Sequence, residues 1–170
     1  MDLALSFNLA SLRSLGSMSR VLAQSAVNAT LTGTTNETVL ATIPIPGGTL
    51  GLNGTCRVTT LWSFTKSTTL KEQFVRLGGL SGSMLAHRFI NGSDANVNSK
   101  LKMISDFHNV ASASIQKGEL EYSNIGYSDA NILAGNADTS VSQDLVLSGK
   151  LELAADTMIL QAYCVEILTT

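Results

Sequence analysis

From about residue 39 onward, apolar and polar positions alternate in short runs that stop on turn residues. Cys56, Val58, Thr60, Trp62 and Phe64 occupy every second position, the period of a strand with one buried face. Residues 39–45 form a similar run ending at Pro46-Gly47-Gly48, and Leu50-Gly51-Leu52-Asn53-Gly54 reads as a turn ahead of the next strand. The same reasoning predicts strands over 70–77, closed by Gly78-Gly79, and over 84–90, closed by Asn91-Gly92. Further strands are predicted over 101–108, 120–125 and 144–153. Residues 158–168 are apolar almost throughout, broken only by Gln161 and Glu166, which fits a strand in the interior of a sheet. About eight strands at spacings of roughly 10–15 residues, with no long helix among them, predict an all-β fold: an antiparallel β-sandwich.

The beginning of the chain follows another pattern. Leu3, Leu5, Leu9, Leu12, Leu15, Met18 and Leu22 suit one face of a helix from Leu5 onward. Leu3, Leu5, Phe7 and Leu9 also alternate with period two, and Gly16 interrupts the helical reading, so both conformations stay open. Composition shifts near residue 36, which divides the chain into an N-terminal arm, 1–35, and a β-sandwich domain, 36–170. Whether the arm is partly helical or extended is left open by this spacing. Its apolar residues Leu3, Leu5, Phe7, Leu9, Leu12, Leu15 and Leu22 are its expected anchors on a neighbouring subunit.

Composition sharpens this expectation. Charged residues make up 14% of the chain, against about 25% in an ordinary soluble domain, while Ser, Thr and Asn number 20, 17 and 11. Hydroxyls and amides must therefore cover most of the surface. With 44% hydrophobic residues and a net charge of only −2, part of that surface is expected to lie under partner subunits. Lys and Arg are scattered and not clustered, which argues against nucleic acid as a partner. No apolar stretch approaches the roughly 18 residues of a membrane-spanning helix, and Asp2 with interspersed polar residues is unlike a secretory signal.

A search for chemistry finds no catalytic constellation, and no cofactor or metal is expected. His87 and His108 lack zinc-ligand spacing and read as hydrogen-bonded structural residues. Gly79-Leu80-Ser81-Gly82-Ser83 lacks the final glycine of a nucleophile elbow. Asp129, Asp138 and Asp144 match no calcium loop, and no phosphate-cradling glycine motif occurs. The acids show none of the pairing that glycoside hydrolysis needs. Cys56 and Cys164, each among apolar neighbours, are expected to be buried and unbridged. Trp62, Phe64, Phe74, Phe89 and Phe107 suit either a sandwich core or a sugar-stacking platform, and the core is the expected place. Tyr122, Tyr127 and Asn131, in a Ser/Asn/Gly-rich stretch, are the candidate receptor-contact loop.

Residues 41–54, Arg57 to Ser63 and Val75 to Gly79, together with Leu145 to Leu151 and Leu160 to Ile167, resemble a family of small tailed-bacteriophage virion proteins. Members carry jelly-roll-like β-domains and occur as head decorations, head fibres or tail-associated appendages. The resemblance implies a non-enzymatic structural protein located in the virion and assembled in the host cytoplasm. It further implies a homotrimer whose partners are the major capsid protein or other virion subunits. A capsid decoration (cement) protein is the expected role, with the arm along the shell and the β-domain displayed outside. The alternative is a tail fibre, spike or head-fibre component that binds a host surface glycan.

Overall fold

A computed structural model of the chain describes residues 19–90, 99–123, 127–128 and 132–168. In chain order the strands are β1 (Ser19–Ser25), β2 (Ala29–Thr32), β3 (Thr38–Ile45), β4 (Thr55–Phe64), β5 (Lys71–Leu77) and β6 (Ser83–Ile90). They continue with β7 (Lys100–Asn109), β8 (Gln116–Ser123), β9 (Tyr127–Ser128), β10 (Leu133–Gly135), β11 (Gln143–Leu151) and β12 (Thr157–Leu168). All pairings are antiparallel. A seven-stranded sheet runs β1-β12-β4-β7-β8-β10, with β2 also on β12, and a five-stranded sheet runs β3-β11-β5-β6-β9. The expected antiparallel, jelly-roll-like sandwich is what the chain forms, and its last long strand lies inside a sheet as predicted.

The alternation in β4 sends Cys56, Val58, Thr60, Trp62 and Phe64 inward, all buried. They meet Val75 and Leu77 of β5 and Leu145, Leu147 and Leu151 of β11 in one hydrophobic core. Trp62 is fully buried, and its indole N–H donates to Thr60 Oγ1 at 2.8 Å, so the one polar atom of the ring is satisfied. Gly118 of β8 marks where the sheets close. A Cβ there would lie 2.1 Å from the Leu85 carbonyl of β6.

Three expectations are corrected. The arm does not extend to residue 35, because Ser19–Ser25 and Ala29–Thr32 are strands that pair along β12. Leu22 packs against the core and Leu31 lies within it, so Leu22 is no free anchor. The reason is tertiary: these segments satisfy backbone groups along β12 that would otherwise form an open edge, and this outweighs the helix-like leucine spacing. Leu3, Leu5, Phe7, Leu9, Leu12 and Leu15 fall outside the described residues.

Second, Cys164 is not core. An irregularity between Leu160 and Ala162 shifts the register, so Cys164 pairs with outward-facing Thr59 and is half-buried, while fully buried Cys56 faces the opposite side of the same sheet. Both thiols are free. Third, Phe74 and Phe89 point away from the core. They pair with His87 and Glu72 on the outer face of the five-stranded sheet, whereas Phe64 and Phe107 are core as expected.

Candidate docking end

Ser19, Leu168, Thr55, His108 and Lys117 stand in one register row across the seven-stranded sheet. This row marks the end of the sandwich at which the chain enters its first strand. The connections 46–54, 78–82, 110–115 and 136–142 all turn at this same end, as the pairing of Gln143 with Ile45 and of Leu145 with Leu77 requires. They carry Leu52, Leu80, Val110, Ile115 and Val141, aliphatic side chains between 37% and 59% exposed.

The rim that carries these residues is held rigidly from beneath. Asn109 is buried, and its Nδ2 donates to the Gly51 carbonyl at 2.5 Å and to Thr139 Oγ1 at 2.7 Å. Gln116, fully buried, donates through Nε2 to Asn109 Oδ1, Ala113 O and Ala137 O, each at 3.0–3.1 Å. Thr139 Oγ1 donates to the Ala113 carbonyl at 2.9 Å. Three connections are thereby tied by neutral amides and a hydroxyl. Ala111 is held at φ +50°, a left-handed conformation that costs an alanine about 1 kcal/mol, while its N–H donates to Asn53 Oδ1. Gly47 allows the 46–54 turn to touch the next connection, since a Cβ would lie 2.5 Å from the Ser140 carbonyl. The end therefore presents exposed aliphatic side chains on a fixed frame.

The opposite end is built from charge. Lys71 is fully buried, and its ammonium lies 2.9 Å from Asp156 Oδ2 and donates to Ser67 Oγ at 2.6 Å and to the Thr69 carbonyl at 3.1 Å. Ser67 and Thr69 also donate to Asp156. Burial pushes the Asp156 carboxyl up, but bonds from Thr69, Lys71 and Ser67 outweigh it and hold it below its ordinary value.

The outer face of the five-stranded sheet is closed by its own side chains. Arg76 lies 5.1 Å over the Phe74 ring and pairs through two 2.7 Å bonds with Glu37, which also accepts from Ser148. Burial raises the Glu37 pKa, yet the bonds from Arg76 and Ser148 hold it below the usual carboxylate range. His87 stacks on Phe74 at 4.7 Å and bonds Glu72 at 3.1 Å, and Lys150 pairs with Glu72. Phe74 and Val146 are nearly inaccessible beneath this polar lid, which leaves Phe74 no open face for a sugar ring.

His87 and His108 both carry hydrogen bonds, His108 with Thr55 at 2.7 Å. Among the described residues, no three His, Cys, Asp or Glu side chains come together as metal ligands would. The expected receptor-contact loop is in fact strand at both tyrosines: Tyr122 lies in β8 opposite Ile104, and Tyr127 in β9 opposite Phe89, on different sheets. Asn131 falls outside the described residues. Sequence reasoning missed the rim, whose one visible signal was Leu52, an aliphatic residue inside a Gly/Asn turn.

These features define an antiparallel, jelly-roll-like β-sandwich with one apolar, rigidly framed end. No protein-family model matches the chain, and no curated protein matches it. Among solved structures it is similar to arcelin-5, a lectin-like defence protein from Phaseolus vulgaris, at 8% identity and a TM-score of 0.42, covering 90% of this chain and 92% of that one. It is also similar to the CBM2 module of the evolved Dit of Lactobacillus casei BL23 phage J-1, at 12% identity and TM-score 0.39, covering 76% of this chain and 69% of that one. A chain of the acidic stable capsid structure of Helicobacter pylori bacteriophage KHP30 shows 7% identity and TM-score 0.38, covering 91% of this chain and 95% of that one. Likenesses at these identities and scores carry no argument about what this chain binds.

Proposed function

We propose that the chain is a non-enzymatic structural subunit of a bacteriophage virion, a capsid decoration protein that docks end-on. One observation supports the reading: the exposed Leu52, Leu80, Val110, Ile115 and Val141 share one end of the sandwich with Ser19, where β1 begins. Burying aliphatic side chains stabilises by about 25 cal/mol per Å² before the costs of association, and a rim fixed beforehand loses little entropy on docking. The partners are the major capsid protein or other virion subunits, and a homotrimer multiplies the contact by avidity. The low charge and hydroxyl-rich surface fit a protein that works within an assembly.

The test is immunogold labelling of phage particles with antibody against residues 36–170. Gold over the head is expected, and it should vanish for particles supplied with Leu52→Asp/Val141→Asp or with a chain lacking residues 1–18. The Leu52→Asp/Val141→Asp variant should keep the stability of the parent to within about 0.5 kcal/mol, because it alters exposed residues. Gold confined to the tail would replace decoration with a fibre or spike role and glycan binding. An unlabelled particle would end the virion reading.

A further inference from the structure

The apolar rim carries a single charge, and that charge sits at its centre. Across the connections 46–54, 78–82, 110–115 and 136–142 the one ionisable side chain is Asp138; every other residue is aliphatic, Gly, Pro, Ser, Thr or Asn. The 136–142 connection touches each of the other three. Gly48 N–H donates to the Thr139 carbonyl at 2.8 Å, and Thr139 N–H donates to the Ala113 carbonyl at 2.8 Å. Gly78 lies against Ala137, since a Cβ on that glycine would stand 4.0 Å from the Ala137 Cβ. Asp138 is exposed and stands between Ala137 and Thr139, so an end-on partner that dehydrates Leu52, Leu80 and Val141 covers it too.

The carboxylate is held in place by its own loop. Its Oδ1 accepts from the Ser140 N–H at 3.0 Å and from Ser140 Oγ at 2.6 Å, and the Asp138 carbonyl accepts from Gln143 Nε2 at 2.7 Å. On either side, Gln116 bonds the Ala137 carbonyl and Asn109 bonds Thr139 Oγ1. The bonds from Ser140 hold the carboxyl below its ordinary pKa, so it stays ionised through the neutral range. Both of those bonds fall on Oδ1, which leaves Oδ2 able to accept from another donor.

We propose that the docking partner places one arginine or lysine on Asp138, within a contact that is otherwise uncharged. The inference rests on the end-on docking reading and names the chemistry of the surface that the rim meets. An ionised carboxylate closed under apolar surface without a counter-charge is strongly destabilising, whereas a cation set against Oδ2 satisfies it. The pair also fixes register, because a partner surface that is shifted, or acidic at this point, loses the pair while still covering the carboxylate.

The test is co-sedimentation of the purified full-length protein with phage particles assembled without it. Asp138→Asn keeps an acceptor for Ser140 and removes only the charge. It should weaken binding at least about tenfold, since the partner's cation is left dehydrated and unpaired, and Asp138→Lys should abolish binding. Asp144→Asn, at an exposed carboxylate just behind the rim in β11, should change binding by less than about twofold, which separates a contact at Asp138 from the overall field of the protein. Parent-like binding by Asp138→Asn, or equal weakening by Asp138→Asn and Asp144→Asn, overturns the cation assignment. End-on docking survives that result when Leu52→Asp/Val141→Asp still abolishes binding. A parent protein that fails to bind the particles overturns the docking reading, and the assignment with it.

Discussion

The two ends of the sandwich solve one problem, tying loops together over an open core, with opposite chemistry. At the entry end, Asn109, Gln116 and Thr139 do it with neutral amides and a hydroxyl, beneath a rim of exposed aliphatic residues. At the far end, Lys71 and Asp156 do it with buried charge, supported by Ser67 and Thr69. The amide–hydroxyl network does not itself titrate, and the exposed Asp138 carboxylate, held below its ordinary value by bonds from Ser140, lies outside it in the same 136–142 connection. A buried ion pair is firm only while both partners stay ionised. Under the proposed docking role, the difference suits the entry end to contact and the far end to closure.

The sharpest way to break this comparison is Lys71→Ala. Removing the ammonium leaves Asp156 buried with only hydroxyl donors and should lower stability by about 3–5 kcal/mol, measured by denaturant unfolding. Asn109→Ala should cost less, about 2–3 kcal/mol, because it strands neutral groups on Gln116, Thr139 and Gly51. Its loss should appear as faster hydrogen exchange at the Thr139 and Gly48 amides, both bonded within the rim. Acid should separate the ends without any mutation. The folded Asp156 pKa lies below the unfolded one, so its contribution is complete above about pH 4–5 and lost as pH falls through the folded value. Protection factors at the Glu152 and Thr65 amides should therefore fall on acidification before those at Gly48 and Thr139. Equal loss at both ends would erase the distinction. The smallest effect is expected from Ala111→Gly, which relieves the left-handed strain in the rim and should raise stability by at most about 1 kcal/mol.

Most of the eight longer strands were legible from a two-residue period bounded by turn residues, β4 most plainly, while β12 was legible as an almost unbroken apolar run. β1 and β2 were hidden because the leucine spacing imitates a helix, while their stability comes from pairing with distant β12. β9 and β10, two and three residues long, carry too few positions to show a period. Cys164 was misplaced because the apolar run 158–168 has no alternation from which to read the shift at Gln161. Phe74 was misread because it precedes buried Val75, and adjacent apolar residues do not reveal which face is the core. The docking rim was out of reach for a different reason: Leu52, Ile115 and Val141 become one surface only once three remote loops meet.

The pairing of Ser19 with Leu168 has an engineering consequence. With Ser19 and Leu168 side by side on adjacent strands, the chain after Leu168 can be joined to the segment that precedes Ser19, and the chain can be reopened in the 33–37 connection at the far end while every strand pairing is kept. In the proposed decoration role, the rearranged polypeptide would have both of its new ends on the side facing away from the particle, so that foreign peptides fused there would form an outward-facing display lattice.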